Sequence, residues 1–378
     1  MTGSKKSLGL YIHIPFCIKK CLYCDFCSLP RSMGADMSAY CSELCRRIAL
    51  ESEKCKGHTV DTVYFGGGTP TLLPIECFSE IMKCIFSNYD VSADAEISCE
   101  CNPASCDGKY LSSLRALGIN RLSIGLQSIH EDELAALGRA HSFSDFCDIF
   151  RAARNAGFDN ISVDLMYGIP NQTLKSFGES LETLVALCPE HISAYGLKIE
   201  DGTPFALMRD SLVLPDEDTE FEMYMLLTNF LAKNGYAKYE ISNFSKPCKE
   251  SRHNLRYWQR KDYIGFGVAA HSCFGGERYG NSRDIVAFMR GEDITSERTL
   301  LNVTDERNEY LMLGLRLSSG IDLVDFRSRF GYEISDVCPD LKKWISGGLM
   351  TLDCGRLSFT DSGFFVSNAI LSELIDTN

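Results

Sequence analysis

The run Tyr11-Ile12-His13-Ile14-Pro15-Phe16-Cys17-Ile18-Lys19-Lys20-Cys21-Leu22-Tyr23-Cys24-Asp25-Phe26-Cys27 decides how the rest of the chain is read. A short apolar stretch, Leu8–Ile14, has the length and composition of a strand and runs directly into cysteines spaced C-x3-C-x2-C. Three thiolates on such a loop can hold three irons of a [4Fe–4S] cube and leave the fourth iron open. An open coordination position is where a metal centre does chemistry. A zinc site is the competing reading, with Cys27 or a distant thiol as its fourth ligand.

Working outward, apolar runs alternate with amphipathic stretches as far as about residue 200. Strands are expected at Leu8–Ile14, Thr59–Phe65, Ala95–Cys101, Arg121–Leu126, Ile161–Met166 and His191–Leu197. Helices are expected at Ala35–Ser52, Pro74–Phe86, Gly108–Leu117, Phe143–Ala156 and Leu174–Leu187. Six strands alternating with helices predict an α/β fold, a partial parallel (β/α)6 barrel of the TIM type, whose ligands sit at the carboxyl ends of the strands. The chemistry-bearing residues fall there. The cysteine loop follows the first strand, Gly66-Gly67-Gly68-Thr69-Pro70 the second, and Glu100 to Pro103 the third. Gln127 follows the fourth, and Asp164 with Tyr167 to Pro170 closes the fifth. Three glycines let the backbone approach a ligand closely. Glu100, Gln127, Arg139 and Asp164 offer carboxylates, an amide and a guanidinium to one mouth, although each alone reads equally well as a helix cap.

Beyond residue 200 the rhythm breaks. Glu217–Asn234 reads as one long helix. Residues 236–300 read as a loop-rich connecting segment packing on the barrel mouth, with 1–235 as the barrel domain. Within it, Tyr239 to Phe244 leads to His253-Asn254-Leu255-Arg256-Tyr257-Trp258. Neutral imidazole binds haem iron well, and Tyr257 and Trp258 could cover a porphyrin face. On chemistry alone, a packed, hydrogen-bonded histidine is the commoner outcome. The glycine-rich run Gly265 to Ser272 is placed to return His271 to the mouth. Residues 301–378 predict helices at Asp305–Leu317, Leu323–Phe330 and Asp336–Ser346, a hairpin over Leu349–Phe359 and a closing helix, Asp361–Leu374. This is a small winged-helix-like domain, and it lacks a basic recognition stripe.

Composition bounds the function. The chain has 378 residues, 45% hydrophobic and 24% charged, with a net charge of −13 that argues against a nucleic-acid surface. No apolar run approaches the ~20 residues needed to span a bilayer, and Met1–Ser7 with the following strand is not a signal peptide. Eighteen cysteines without an export signal point to a reducing, cytoplasmic setting.

The segments Tyr11–Phe26, Phe65–Leu72, Asn120–Ser128, Leu137–His141, Asp164–Thr173, Tyr239–Trp258 and Gly265–Ser272 together resemble the radical S-adenosylmethionine (SAM) superfamily, within it the oxygen-independent coproporphyrinogen III oxidase family. Three features resemble its HemW-type haem-chaperone branch. Phe26 stands where the dehydrogenase branch has a further cysteine, the chain reaches its first strand by Leu8, and the His-Asn-x-x-Tyr-Trp motif is complete. The resemblance implies Cys17, Cys21 and Cys24 as cluster ligands. It implies Tyr11, Tyr23, Gly67, Gly68, Thr69, Glu100, Gln127, Arg139, Asp164 and His271 as SAM contacts. In this family SAM chelates the open iron, and an electron from the cluster cleaves it to a 5′-deoxyadenosyl radical. The resemblance further implies haem as cargo at His253, Asn254, Tyr257 and Trp258, and delivery to a haem-requiring acceptor such as a respiratory enzyme. Any membrane contact would be peripheral, through that acceptor, and a homodimer would be compatible with these roles. The electron donor is left open, as is Cys27: spare thiol, fourth cluster ligand or haem contact. The alternative function is oxidative decarboxylation of coproporphyrinogen III to protoporphyrinogen IX.

Overall fold

A computed structural model describes residues 5–30, 32, 34 and 36–375. The six expected strands form: β1 (Lys6–Ile14), β2 (His58–Gly67), β3 (Val91–Cys101), β4 (Arg121–Gln127), β5 (Ile161–Tyr167) and β6 (His191–Gly196). They lie side by side in chain order and all parallel. β4 is buried along its whole length, as expected of a parallel strand covered on both faces.

The connecting helices are α1 (Met37–Glu51), α2 (Ile75–Asn88), α3 (Gly108–Ala116), α4 (Phe143–Asn155) and α5 (Leu174–Ala186), followed by the long α6 (Glu217–Lys233). Asp36 caps α1 by accepting from the Ser38 and Ala39 amides. Ala35, the expected first residue of that helix, lies outside the described residues, as do Met1–Ser4.

Residues 236–300 are far more regular than a loop-rich reading implies. They supply β7 (Ala237–Lys238), β8 (Asn243–Ser245), helix α7 (Arg252–Trp258), β9 (Tyr263–Phe266), β10 (His271–Phe274), β11 (Glu277–Asn281) and β12 (Thr295–Leu300). β9 joins β1 as a seventh parallel strand, and β10 to β12 continue the sheet antiparallel from there. At the other edge β8 pairs antiparallel with β6, and β7 antiparallel with β8. Among the described residues the sheet thus has twelve strands. The additions are short, two to six residues each, and their pairing partners are distant in sequence, so local pattern alone does not reveal them.

Helix α7, which carries the His-Asn-x-x-Tyr-Trp motif, packs on the early residues of β2 and β3. The Glu96 carboxylate accepts from the Arg252 and His253 amides at 3.1 Å each, completing the cap begun by Ser251. Arg256, almost fully buried, donates to Asp61, to Thr62 and to the Asp262 carbonyl. The motif therefore closes the floor of the barrel.

The C-terminal module has helices Val303–Gly314 and Leu323–Phe330 and a small sheet of β13 (Ile321–Asp322), β14 (Met350–Asp353) and β15 (Arg356–Phe359). Cys354 and Gly355 both take positive φ, the geometry of a tight two-residue hairpin. The helix expected over Asp336–Ser346 is two helices, Ile334–Val337 and Leu341–Ser346, because Pro339 has no N–H to continue the ladder. The closing helix also splits, into Asp361–Phe365 and Ser367–Leu374. The module docks on the β7 edge through a Lys238–Asp361 ion pair and the Tyr224–Phe365 ring contact.

Candidate functional site

The cysteine loop is pinned on both sides. The Leu22 amide donates to the Leu137 carbonyl at 3.1 Å, and the Leu22 carbonyl accepts from the Phe205 amide at 3.0 Å. Leu22 and Tyr23 pack on a separate small core of Leu137, Met166, Ile169 and Phe205. Cys17, Cys21, Cys24 and Tyr23 consequently line one cavity of about 350 Å3 at the carboxyl ends of the strands.

Gly67, Gly68 and Thr69 form the facing wall. The Gly68 and Thr69 amides donate to the Ile14 and Phe16 carbonyls at 2.8 and 2.7 Å. Gly67 has φ +112°, and a Cβ on Gly68 would lie 2.6 Å from the Phe16 oxygen. Only glycines allow this wall to sit against the start of the cysteine loop. Thr69 Oγ1 donates to Cys17 Sγ and Arg139 Nη1 to Cys21 Sγ, each at 3.6 Å.

Glu100, Gln127, Arg139 and Asp164 reach the same cavity, and so does Asn254 from α7. Glu100 accepts from the Tyr64 hydroxyl at 2.9 Å and the Gly67 amide at 3.2 Å. Burial, then repulsion from Asp164, pushes its carboxyl up to about 7. Burial also raises Asp164, which accepts from the Ser123 hydroxyl at 3.0 Å. Arg139 donates to the Gly125 carbonyl at 3.1 Å, while its buried Nε has no protein partner. Gln127 sits at φ +72°, where β4 bulges against β5. A guanidinium with a spare buried donor, two carboxyls and glycine backbone suit an amino-acid head group beside a ribose. The donor set thus fits a three-thiolate cluster with SAM beside it. Among the described residues no three His, Cys, Asp or Glu side chains converge on a position for a single metal ion.

Five expected SAM or haem contacts do not line this cavity. Tyr11, Tyr257 and His271 face a second cavity of about 640 Å3, which shares Phe26, Gly67 and Glu100 with the first. His271 starts β10, which pairs antiparallel with β9, and it lines the second cavity and not the first. His253 is fully buried in the floor. Its Nδ1 is hydrogen-bonded to Thr62 Oγ1 at 2.9 Å and its Nε2 to the Tyr257 hydroxyl at 2.8 Å, with the ring stacked on Tyr64. Neither nitrogen is presented to a ligand. Trp258 is partly buried, and its indole N–H is enclosed without a protein partner. The mouth also contains Tyr64, Arg121, Ser123, Ser193, Tyr195 and Lys198, which the sequence reading did not single out. For all but Lys198, which follows β6, the signal is the period-two alternation along β2, β4 and β6, with polar or aromatic residues on alternate positions of otherwise apolar strands.

Glu100 makes a pH-dependent prediction. Its folded pKa lies above the unfolded value, so its contribution to stability is complete below about pH 4.5 and is lost as pH rises through 7. In cluster-free protein, Glu100→Gln should gain up to about 3 kcal/mol at pH 8 and little at pH 5. Urea unfolding at the two pH values measures this. Equal gains at both would mean the carboxyl is not held neutral.

The architecture has a solved counterpart. The coproporphyrinogen III oxidase HemN from Escherichia coli superposes with a TM-score of 0.86 over 100% of this chain and 92% of that one, at 24% identity, a likeness of fold. Residues 11–184 match the radical SAM superfamily and residues 301–366 the HemN C-terminal domain. Fold, cysteine mouth and family match together define a radical SAM protein, the class whose cofactors are a [4Fe–4S] cluster and SAM. The heme chaperone HemW of Bacillus subtilis (strain 168) is 35% identical over 97% of this chain and 98% of its own length. That of Escherichia coli K12 is 32% identical over 96% and 97%. The chain belongs to the HemW family.

Proposed function

We propose that this protein binds haem and passes it to a haem-requiring acceptor, such as a respiratory enzyme, while holding a [4Fe–4S] cluster and SAM in the cysteine mouth. The observation that carries this reading is the end-to-end likeness to heme chaperones, at 35% identity over 98% of the relative's length. Cys17, Cys21 and Cys24 hold the cluster. Gly67, Gly68 and Thr69 present backbone to the amino-acid head of SAM, Arg139 pairs with its carboxylate, and Glu100, Gln127 and Asp164 take its amino and hydroxyl groups. When bound, the cluster supplies one electron to the sulfonium. No helix among the described residues is long and apolar enough to cross a membrane, so contact with a membrane-bound acceptor is peripheral on this reading.

The test is an anaerobic assay of the reconstituted protein. Haem should bind stoichiometrically and move to an apo-acceptor, while coproporphyrinogen III with SAM and a reductant yields no protoporphyrinogen. Protoporphyrinogen formation without haem binding would replace the chaperone reading with the dehydrogenase.

A further inference from the structure

Two thiols outside the cluster loop stand side by side at the edge of the cysteine mouth. Cys101 ends β3, next to Glu100, and lines the first cavity together with Asn102. Cys106 lies just ahead of α3. The two sulfurs are 3.6 Å apart and share a hydrogen bond. A disulfide holds its sulfurs at about 2.05 Å, so the pair closes with a movement of about 1.5 Å. A turn on Asn102 folds the chain back between them. Its carbonyl accepts from the Ser105 amide at 2.9 Å and from the Ser105 hydroxyl at 2.6 Å. The same hydroxyl is hydrogen-bonded to Thr71 Oγ1 at 2.6 Å, two residues beyond Thr69 of the glycine wall.

The pair is also polarised. The hydrogen bond from Cys101 lowers the Cys106 thiol below its ordinary range, while that bond and burial raise Cys101. Burial raises Cys41, Cys45, Cys84 and Cys99 as well. Cys106 is only half-buried, whereas Cys101 is buried. Cys106 therefore has the thiolate character and the access of an attacking thiol, and Cys101 is placed to resolve it.

We propose that Cys101 and Cys106 form a reversible disulfide that weakens SAM binding when the surrounding thiol pool is oxidised. The inference rests on the placement of SAM in the cysteine mouth. The Cys106 thiolate attacks a low-molecular-weight disulfide, RSSR, forming a Cys106–SR bond and releasing RS−. Cys101 gives up its proton and attacks Cys106 Sγ, and the second RS− leaves. Two cysteine thiols are oxidised and one RSSR is reduced to two RSH. Closing the bond draws the 102–106 turn towards the end of β3. That shifts Asn102 and the adjoining Glu100 in the cavity wall, and pulls through Ser105 on Thr71. Linkage runs both ways, so SAM held in the mouth favours the open dithiol.

The experiment uses full-length, cluster-reconstituted protein, incubated anaerobically with oxidised glutathione and then alkylated for peptide mass analysis. The peptide carrying Cys101 and Cys106 should be lighter by two hydrogens and unalkylated at both. SAM affinity, measured by equilibrium dialysis, should fall at least ~5-fold and return with dithiothreitol. Saturating SAM should raise the reduction potential of the pair by about 20 mV, which is that 5-fold at about 30 mV per tenfold. Cluster iron and sulfide should be unchanged throughout. Cys106→Ser and Cys106→Ala, at a position outside the cavity lining, should bind SAM like the reduced wild type and be indifferent to oxidised glutathione. Absence of the Cys101–Cys106 bond, or glutathione retained on Cys106, would overturn the proposal, and so would a bond that leaves SAM affinity as it was. If the reduced wild type takes up no SAM, the cofactor placement falls and the coupling with it, while the bond itself is still decided by mass.

Discussion

Cys21→Ala should abolish the iron–sulfur centre while the fold survives. Cys17, Cys21 and Cys24 line one mouth, and removing any one leaves only two thiolates for a cube that needs three. Cys21 is the thiol that receives the buried Arg139 guanidinium, so its loss also removes a hydrogen-bond acceptor from that cation. The residue is only partly buried and belongs to no helix or strand. The stability cost is therefore small, on the order of 1 kcal/mol. Iron and sulfide analysis of the anaerobically reconstituted variant, with circular dichroism as the folding control, measures the effect. Full retention of iron would overturn the cluster assignment. Cys27→Ala is the contrast: Cys27 faces the second cavity, so its loss should leave the cluster iron in place.

His253→Ala should be the most destabilising single change in the HemW motif, by about 3–5 kcal/mol. The imidazole is fully buried, stacks on Tyr64 and meets Tyr257 edge-on, so its removal opens a cavity. It also orphans the Tyr257 hydroxyl and leaves Thr62 Oγ1 with the Arg256 guanidinium as its remaining side-chain partner. Burial, then the nearby Arg256 and Arg121, lowers its pKa to about 3. The native state therefore holds the neutral ring. That contribution to stability is complete above about pH 6.5 and is lost as pH falls towards 3. The deficit of the alanine variant should accordingly be largest near neutrality and shrink in acid, as read by urea unfolding across that range. His253→Gln, able to hydrogen-bond both hydroxyls, should recover part of the stability and keep the iron-ligand signature of bound haem. Loss of that signature in a stable Gln variant would make His253 a ligand after all.

These two residues mark how far the sequence reaches. The thiol spacing, the glycine run and the strand-end positions of Glu100, Gln127 and Asp164 were legible because each motif ends a strand that local pattern identifies. Parallel strands in chain order then bring their ends together without further information. The inward-facing Tyr64, Ser123 and Tyr195 could have been found from the same alternation. His253 and His271 could not be assigned this way. Their surroundings depend on where α7 and β10 dock, and those elements are short, with partners far away in the chain. The Arg252 and His253 amides meet Glu96, which lies about 155 residues earlier, and Tyr11 aligns with Gly265 across β1 and β9. Contacts of that separation leave no periodic trace in the residues that make them.

The amino-acid sequence by itself thus determined the barrel strands, the cysteine loop and the residues of the first mouth, because period and spacing are properties of contiguous residues. Only the tertiary structure decided that the His-Asn-x-x-Tyr-Trp helix closes the barrel floor and that a second cavity opens between Cys27 and His271. Both arise where distant segments pack, and burial there determines whether a histidine is a structural group or an available ligand.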